Sequence, residues 1–299
     1  MQTVTKQEIL SLLPRRRADA NKGEFGTVAA VAGSMAYRGA AALCVEAALR
    51  SGAGLVYLAS VEPVVQLTLS RTPECCALPC RTDGDGGILA ADAAAVRQRF
   101  IERPAVLLAG PGLGPSAGRV LNALLGAGAP WKAAVLDADA LNALAAGDLG
   151  DFPLLPAATV LTPHPGEAAR LLGTTVSEVQ SDRERAAVQL AENYRCVAVL
   201  KGSGTLVAEP GGTVWHNSTG NAGLARGGSG DILAGLTAGL LAAGLRQGCT
   251  PEEAAICAVW LHGAAADACA ARRSMTAMLP TDIFADLGEI LAGLEQEVM

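Results

Sequence analysis

Short runs of β-branched and apolar residues alternate along the chain with longer stretches whose apolar positions recur every three to four residues. The short runs predict strands at Thr27–Ala32, Leu55–Ala59, Ala105–Ala109, Ala133–Leu136, Thr159–Leu161, Val197–Leu200, Leu206–Ala208 and Thr213–His216. The longer stretches predict helices at Gly39–Ser51, Ala90–Phe100, Ala117–Leu125, Gly166–Leu172 and Ser177–Tyr194. A mainly helical final third follows: Asp231–Leu245, Pro251–Ala271 and Pro280–Val298. The early strands are continuously apolar, the pattern of a parallel sheet covered on both faces. Such alternation predicts a doubly wound α/β sheet. No internal repeat or low-complexity segment breaks it, and the turn-rich "RTDGDGGI" at Arg81–Ile88 is too short for a linker. The reading is one domain over residues 1–299.

Composition narrows this picture. Glycine supplies 35 of 299 residues, roughly 12% against an average near ~7%, while aromatics are only 3%, so small residues must do much of the helix-on-sheet packing. A net charge of −6, with Arg15–Arg17 as the one dense basic run, argues against a nucleic-acid surface, which needs a basic stripe. The N-terminal segment lacks the apolar core of a signal peptide. The run Ile232–Leu245 is shorter than the ~20 residues of a membrane span and contains Gly235, Gly239 and Gly244. A cytoplasmic protein without a membrane partner is expected. Eight cysteines are then expected as reduced thiols. The cluster Cys75-Cys76-x3-Cys80 has neither a second Cys pair nor a nearby His, so no metal role is expected for it.

The chemistry concentrates in "GLARGGSGDILAGLTAGLLAAGL", Gly223–Leu245. Successive glycines let backbone N–H groups turn inward, and the helix that follows directs its positive end at the same point. Gly227, Gly228, Ser229 and Gly230 thus form a candidate anion hole. Asp231 at the helix start is open to two readings, an N-cap or a catalytic carboxylate. A Walker loop is ruled out because the chain has no Gly-Lys dipeptide. "LLAGPGLGPSAG" at Leu107–Gly118 does not give GxGxxG, but it is a strand-to-helix loop of the kind that binds ligands in open α/β sheets. Asp137, Asp139 and Asn142 of "LDADALN" follow a strand and suit a substrate or magnesium site, although Asp139 is equally placed to cap the next helix. His262 lies in an apolar helix and reads as a satisfied core histidine.

"GGSGDILAG" resembles the G-x-G-D signature of ribokinase-like small-molecule kinases. Together with "VAGSMAYRGAA", "GPGLG", "LDADALN", "LTPHPGEAARLLG", "LKGSGTLVA" and "NSTGNAGLARGGSGD", in that order, it is similar to the ADP-dependent NAD(P)H-hydrate dehydratase family. The resemblance covers most of the chain, from about Asn21 to the helix containing His262. Ser229 stands where the family commonly has Thr, which keeps the hydroxyl. The resemblance implies a ribokinase-like fold, a stand-alone dehydratase domain, and a homo-oligomer. It implies removal of water from the S epimer of hydrated NADH or NADPH, with ADP as phosphoryl donor, Mg2+ as cofactor, and AMP and phosphate as products. It makes Asp231 the base. It assigns the adenine nucleotide to Lys201, Gly202, Ser203, Gly204, Thr205 and Gly230, a segment that also reads as a hairpin turn. Gly39, Ala40, Gly112, His164 and Asp231 would hold the hydrated dinucleotide. Glu167, whose plainer role is to complement a helix dipole, would act on Mg2+ through water, as in related kinases with an Asn-x-x-Glu element in which His164 takes the Asn place. Two alternatives stay open: a kinase of the same fold that phosphorylates an alcohol such as a vitamin precursor, and a nucleotide-binding sensor without turnover.

Overall fold

The computed structural model describes residues 1–126, 128–148 and 155–298. In chain order the elements are β1 Gln2–Thr3, α1 Lys6–Leu12, β2 Thr27–Val31, α2 Arg38–Arg50, β3 Leu55–Val61, α3 Glu62–Arg71, β4 Cys76–Cys80 and α4 Ala90–Arg99. Next come β5 Val106–Ala109, α5 Ala117–Leu125, β6 Ala133–Leu136, α6 Asp139–Ala145, β7 Thr159–Leu161, α7 Pro165–Leu172, α8 Val176–Ser181 and α9 Arg183–Tyr194. The chain ends with β8 Val197–Leu200, β9 Leu206–Ala208, β10 Val214–His216, α10 Ser229–Gly244, α11 Pro251–Arg273 and α12 Ile283–Val298.

The strands form one sheet in the order β1-β10-β9-β8-β7-β6-β5-β2-β3-β4. Every described pairing is parallel except those of β9, which runs antiparallel to both β8 and β10. This is the expected doubly wound sheet, and the central strands β2, β5, β6 and β8 are buried almost throughout. Two edge strands are not foreshadowed by the apolar pattern. β1 is two residues long, too short to carry a period. β4 contains Pro79, which is tolerated because the strand pairs only with β3. The cysteine cluster thus lies in and beside an edge strand, and all eight cysteines are free thiols.

Four helical regions depart from expectation, the first being α1, which starts from a Thr5–Glu8 capping box and is not among the helices that the apolar pattern predicts. α3 begins with Glu62 and Pro63, a favoured place for Pro in a first helical turn, although the β-branched run that follows does not show a helical period. α6 is a short helix after β6 that the apolar period does not single out. The long helix expected at Ser177–Tyr194 is two: α8 ends at Ser181, and the Asp182 carboxylate accepts the Arg185 N–H at 3.0 Å to start α9. α11 is long and apolar enough to cross a membrane, but two thirds of its most apolar window is buried inside the fold, as in a core helix.

α10 is the helix on which the layers close. Almost every residue after its first turn is buried, and it packs on α2, α11 and the strands β2, β5 and β6. Charge is absent here because no face of the helix meets water. Glycine is present because α2 comes very close. A Cβ on Gly235 would lie 2.3 Å from the Cys44 carbonyl oxygen, and one on Gly239 would lie 2.3 Å from that of Ala48. Gly239→Ala should therefore destabilise the protein. Helix propensity favours Ala by ~1 kcal/mol, but prying two backbones apart costs typically ~1–3 kcal/mol. The expected result is a lower urea midpoint with the slope unchanged; an unchanged midpoint would mean that the two helices part freely.

Candidate active site

The ends of β8, β7, β6, β5 and β2 lie side by side in the sheet. The residues that follow them are Lys201, the Thr162–Glu167 segment, Asp137, the Gly110–Gly114 loop and the Ala32–Ala40 segment. Every motif singled out in the sequence except the glycine cradle sits on this row, and the cradle itself closes over its middle. The row spans four inter-strand steps, roughly 19 Å at the usual ~4.8 Å spacing. That length suits two ligands meeting end to end.

Gly228 is the N-cap of α10, with φ +98°, and no side chain caps this helix. Asp231 is the third helical residue, so it is not the N-cap. A side chain at Gly228 would be strained by the positive φ, and its Cβ would lie 2.7 Å from Leu43 Cδ1 of α2, which would have to shift. The Ser229 N–H donates to the Arg226 carbonyl at 3.3 Å and is spent within the turn. The Ser229 hydroxyl, by contrast, is buried without a hydrogen-bond partner. Gly227 is exposed, and a Cβ there would meet open space. The cradle therefore offers the backbone of Gly227, Gly228 and Gly230 and the unpaired Ser229 hydroxyl at an uncapped helix end.

Lys201 reaches across the row from the end of β8. Its Nζ is 2.6 Å from Asp137 Oδ1 and 3.8 Å from Glu167 Oε2. A Cβ on Gly230 would lie 3.3 Å from that Nζ and 3.6 Å from Asp137 Oδ2. One ammonium thus faces the helix start and the buried Asp137 and Glu167 carboxylates. Burial works against the charge on Lys201, but Asp137, Glu167 and Asp231 hold its pKa above the usual lysine value. Burial also pushes Asp231 up to about 6; Asp137 adds to the rise and Lys201 opposes it. Glu167 is pushed up to about 7, again chiefly by burial, with Lys201 opposing and Asp137 reinforcing. Among the described residues no group of three metal-ligating side chains is gathered. That donor set is too thin for an all-protein cage. It does fit Mg2+ carried on nucleotide phosphates, which needs only one or two carboxylates and keeps its waters.

His164 is the N-cap of α7. Its Nδ1 accepts the N–H groups of Gly166 and Glu167 at 3.0 and 3.3 Å, and Glu167 Oε2 accepts the His164 N–H at 2.7 Å. A ring nitrogen that accepts carries no proton, so the proton lies on Nε2, which is 3.3 Å from Glu167 Oε1. Burial and then Lys201 lower the His164 pKa, consistent with a neutral ring. Glu167 is thus both a helix-start residue and a member of the central group. Asp139 does not cap its own helix. Ala138 is the N-cap of α6, while Asp139 Oδ2 accepts the Gly114 N–H at 2.8 Å and ties α6 to the loop after β5. Asn142 Oδ1 accepts from Arg170 Nε at 3.0 Å, and Arg170 in turn lies near enough to bear on His164 and Glu167. Gly112 is required by packing, since a Cβ would be 2.8 Å from Tyr37 Cβ and 3.0 Å from Ala40 Cβ, whereas Gly39 has open space.

The Lys201–Thr205 segment is the hairpin turn between β8 and β9. Thr205 Oγ1 donates to the Gly202 carbonyl at 3.0 Å, and Ser203 is exposed at the tip. Arg183, which no motif contains, braces the turn from below by donating to the carbonyls of Leu200 and Gly204 at 3.1 and 3.3 Å. Its signal is tertiary only. Asp267 does the same for the Gly220–Asn221 segment, accepting from both at 2.8 and 2.9 Å. His262 is not satisfied as expected: it is buried and its Nε2 has no partner. Burial, with Lys201 adding, drives its pKa down to about 4.

The family model described as NAD(P)H-hydrate dehydratase matches residues 28–288. An ADP-dependent (S)-NAD(P)H-hydrate dehydratase of Neisseria meningitidis is 40% identical over 254 residues, covering 84% of this chain and 80% of the relative. A bifunctional NAD(P)H-hydrate repair enzyme of Moorella thermoacetica is 42% identical over 296 residues, 96% of this chain and 53% of that protein. The chain thus spans about half the length of the bifunctional relatives it matches. Among solved structures, the ADP/ATP-dependent NAD(P)H-hydrate dehydratase of Bacillus subtilis, co-crystallised with ATP and Mg2+, superposes with a TM-score of 0.83 at 33% identity, covering 98% of this chain and 99% of the other. The sheet order, the row of motif loops and these likenesses converge: this chain is a ribokinase-like protein of the NAD(P)H-hydrate dehydratase family.

Proposed function

We propose that this chain performs the ADP-dependent dehydration of the S epimer of hydrated NADH or NADPH, restoring the reduced dinucleotide with release of AMP and phosphate. The observation that carries the reading is Asp231, half-buried in the first turn of α10 beside an unsatisfied Ser229 hydroxyl and across from the Lys201 ammonium. The base, the anion cradle and the cation converge where the middle of the strand row meets the helix start.

In this reading the ring hydroxyl of the hydrate lies against Asp231, which takes its proton as the oxygen attacks the terminal phosphoryl of ADP. The bond from that phosphorus to the bridging oxygen breaks and AMP departs. The Gly227–Gly230 cradle and Ser229 stabilise the transferring phosphoryl, where positioning and electrostatics do most of the work. The C–O bond of the resulting ester then breaks. Phosphate leaves with the electron pair, the neighbouring carbon gives up a proton, and the ring double bond is restored. Mg2+ bound on the nucleotide phosphates would neutralise their charge, with Asp137 and Glu167 as the carboxylates near it. The Lys201–Thr205 turn holds the nucleotide over β8. His164, Ala40, Gly39 and Gly112 line the side for the hydrated dinucleotide.

Asp231→Asn should lower kcat by ~10²-fold or more, the scale of general-base loss, while ADP binding persists. Because burial raises the Asp231 pKa above its unfolded value, its ionisation weakens the fold, and the stability it contributes at low pH is lost as pH rises through about 6. The variant should therefore melt no lower than the wild type at pH 8. Retained turnover in the folded variant would remove Asp231 from the chemistry.

The base must be ionised to accept a proton. The kcat/KM of the wild type should therefore decline on the acid side with a midpoint near about 6, where half of Asp231 is protonated. A flat profile between pH 5 and 8 would contradict this base.

Hydrated NADH offered with ADP, ATP or no nucleotide, followed by absorbance, tests the reaction and the donor together. The expected order is ADP well above ATP, with recovery of NADH. Equal or faster rates with ATP would overturn the donor. A stable phosphate ester without NADH would instead make the protein an ordinary kinase.

A further inference from the structure

Arg183 opens α9, and nothing about that position favours a cation. The start of a helix carries partial positive charge, which disfavours a basic residue in its first turn. The side chain is half-buried, and burial holds its pKa below the usual arginine value. No carboxylate among the described residues pairs with it. A charge kept at such cost asks for a compensating contact.

That contact is with the β8–β9 turn. Arg183 Nη2 donates to the carbonyls of Leu200 and Gly204 at 3.1 and 3.3 Å and, more loosely, to that of Lys201 at 3.5 Å. Its Nη1 donates to Gln180 Oε1 at 3.0 Å. Gly202 makes room for the fork, since a Cβ there would lie 2.8 Å from Nη1 and 3.0 Å from Nη2. The turn has closing features of its own. Leu200 pairs with Leu206, Gly202 and Gly204 have φ of +149° and +65°, and Thr205 Oγ1 donates to the Gly202 carbonyl. The hairpin therefore reverses the chain without Arg183, and the guanidinium adds a fixed orientation to a turn of small residues. It also sorts the polar groups of the turn. The carbonyls of Leu200, Lys201, Gly202 and Gly204 all accept from the protein. The N–H groups of Gly202, Ser203 and Gly204 have no protein partner among the described residues. Acceptors are spent and donors remain, which suits an acceptor-rich anion such as a nucleoside diphosphate.

We propose that Arg183 is a positioning residue for the adenine nucleotide: by holding the carbonyls of the β8–β9 turn, it presents the N–H groups of that turn to ADP. The identity of the ligand rests on the function proposed above. In that reading Lys201 to Thr205 touch the nucleotide, and Arg183 acts through them. Without the guanidinium, the nucleotide itself has to order the turn and binds more weakly. Charge alone does not suffice, because an ammonium on the shorter lysine side chain does not reproduce the planar fork that meets the turn and Gln180 together.

Arg183→Lys and Arg183→Ala in the full chain test this. Calorimetry with ADP and Mg2+ should show both variants binding about 10-fold more weakly than the wild type. Their melting temperatures without ligand should lie within about 2 °C of the wild type, because the turn closes on its own. Where hydrated NADH is turned over, the KM for ADP should rise by the same factor, with kcat and the KM for the hydrate within about 2-fold. An ADP affinity unchanged in either variant overturns the proposal. So does a loss shared equally by ADP and the hydrate with a lower melting temperature, the mark of a purely structural arginine. A wild type that binds ADP but leaves the hydrate untouched would sink the proposed function alone. The ADP affinities and melting temperatures of the variants then decide the role of Arg183. A wild type that binds no ADP overturns that role outright.

Discussion

The contact between Lys201 Nζ and Asp137 Oδ1, 2.6 Å long and largely out of water, is the constraint on which the site depends. It joins the ends of β6 and β8, which are separated in the sheet by β7. Removing one partner of such a buried pair typically costs ~3–5 kcal/mol because the other is left as an uncompensated charge. The same ammonium moderates the two nearby carboxylates that titrate within reach of neutrality, Glu167 at about 7 and Asp231 at about 6. Without it, three acids drawn from three loops would repel one another across a dry cleft. Their co-existence is an arrangement around a cation.

Close packing delivers the fourth loop to that point. The helix that carries Asp231 is held against α2 at distances only glycine permits, at Gly235 and Gly239. One turn of error in that contact would move Asp231 by about 5 Å along the helix axis. The glycines of α10 are thus tied to the geometry of the candidate site. They let a buried helix lie flush on its neighbour, so its N-terminus projects over the ends of the strands. The positive φ of Gly228 then turns the incoming chain so that an uncapped helix end faces the cleft.

Several polar residues have two uses. His164 caps α7 with one ring nitrogen and leaves the other beside Glu167. Asp139 fastens the loop after β5 rather than its own helix. These bonds fix the loops before any ligand arrives, which lowers the ordering cost of binding. Of the polar groups near the strand row, the Ser229 hydroxyl in the cradle is left without a partner.

The sequence by itself determined the architecture and the chemistry on offer. Continuous apolar runs named the central strands to within a residue or two, because a strand buried on both faces can be written in few ways. Ordered motifs named the family and most of the residues on the strand row, since glycines and an acid before a charge-free helix leave little choice of role. Tertiary structure decided what local patterns cannot encode. β1 is too short to show a period, and β4 is allowed its proline only by its place at the sheet edge. Asp231 reads locally as a possible cap, and only the turn at Gly228 moves it to the third helical position. The tie between Asn142 and Arg170 is invisible in the motif, and His262 reads as satisfied although its Nε2 is left without a partner. Hydrogen-bond partners across the fold come from residues far apart in the chain, as Arg183 and Lys201 do here. Which polar groups are spent on the fold and which remain for a ligand is therefore settled only when the chain has closed on itself.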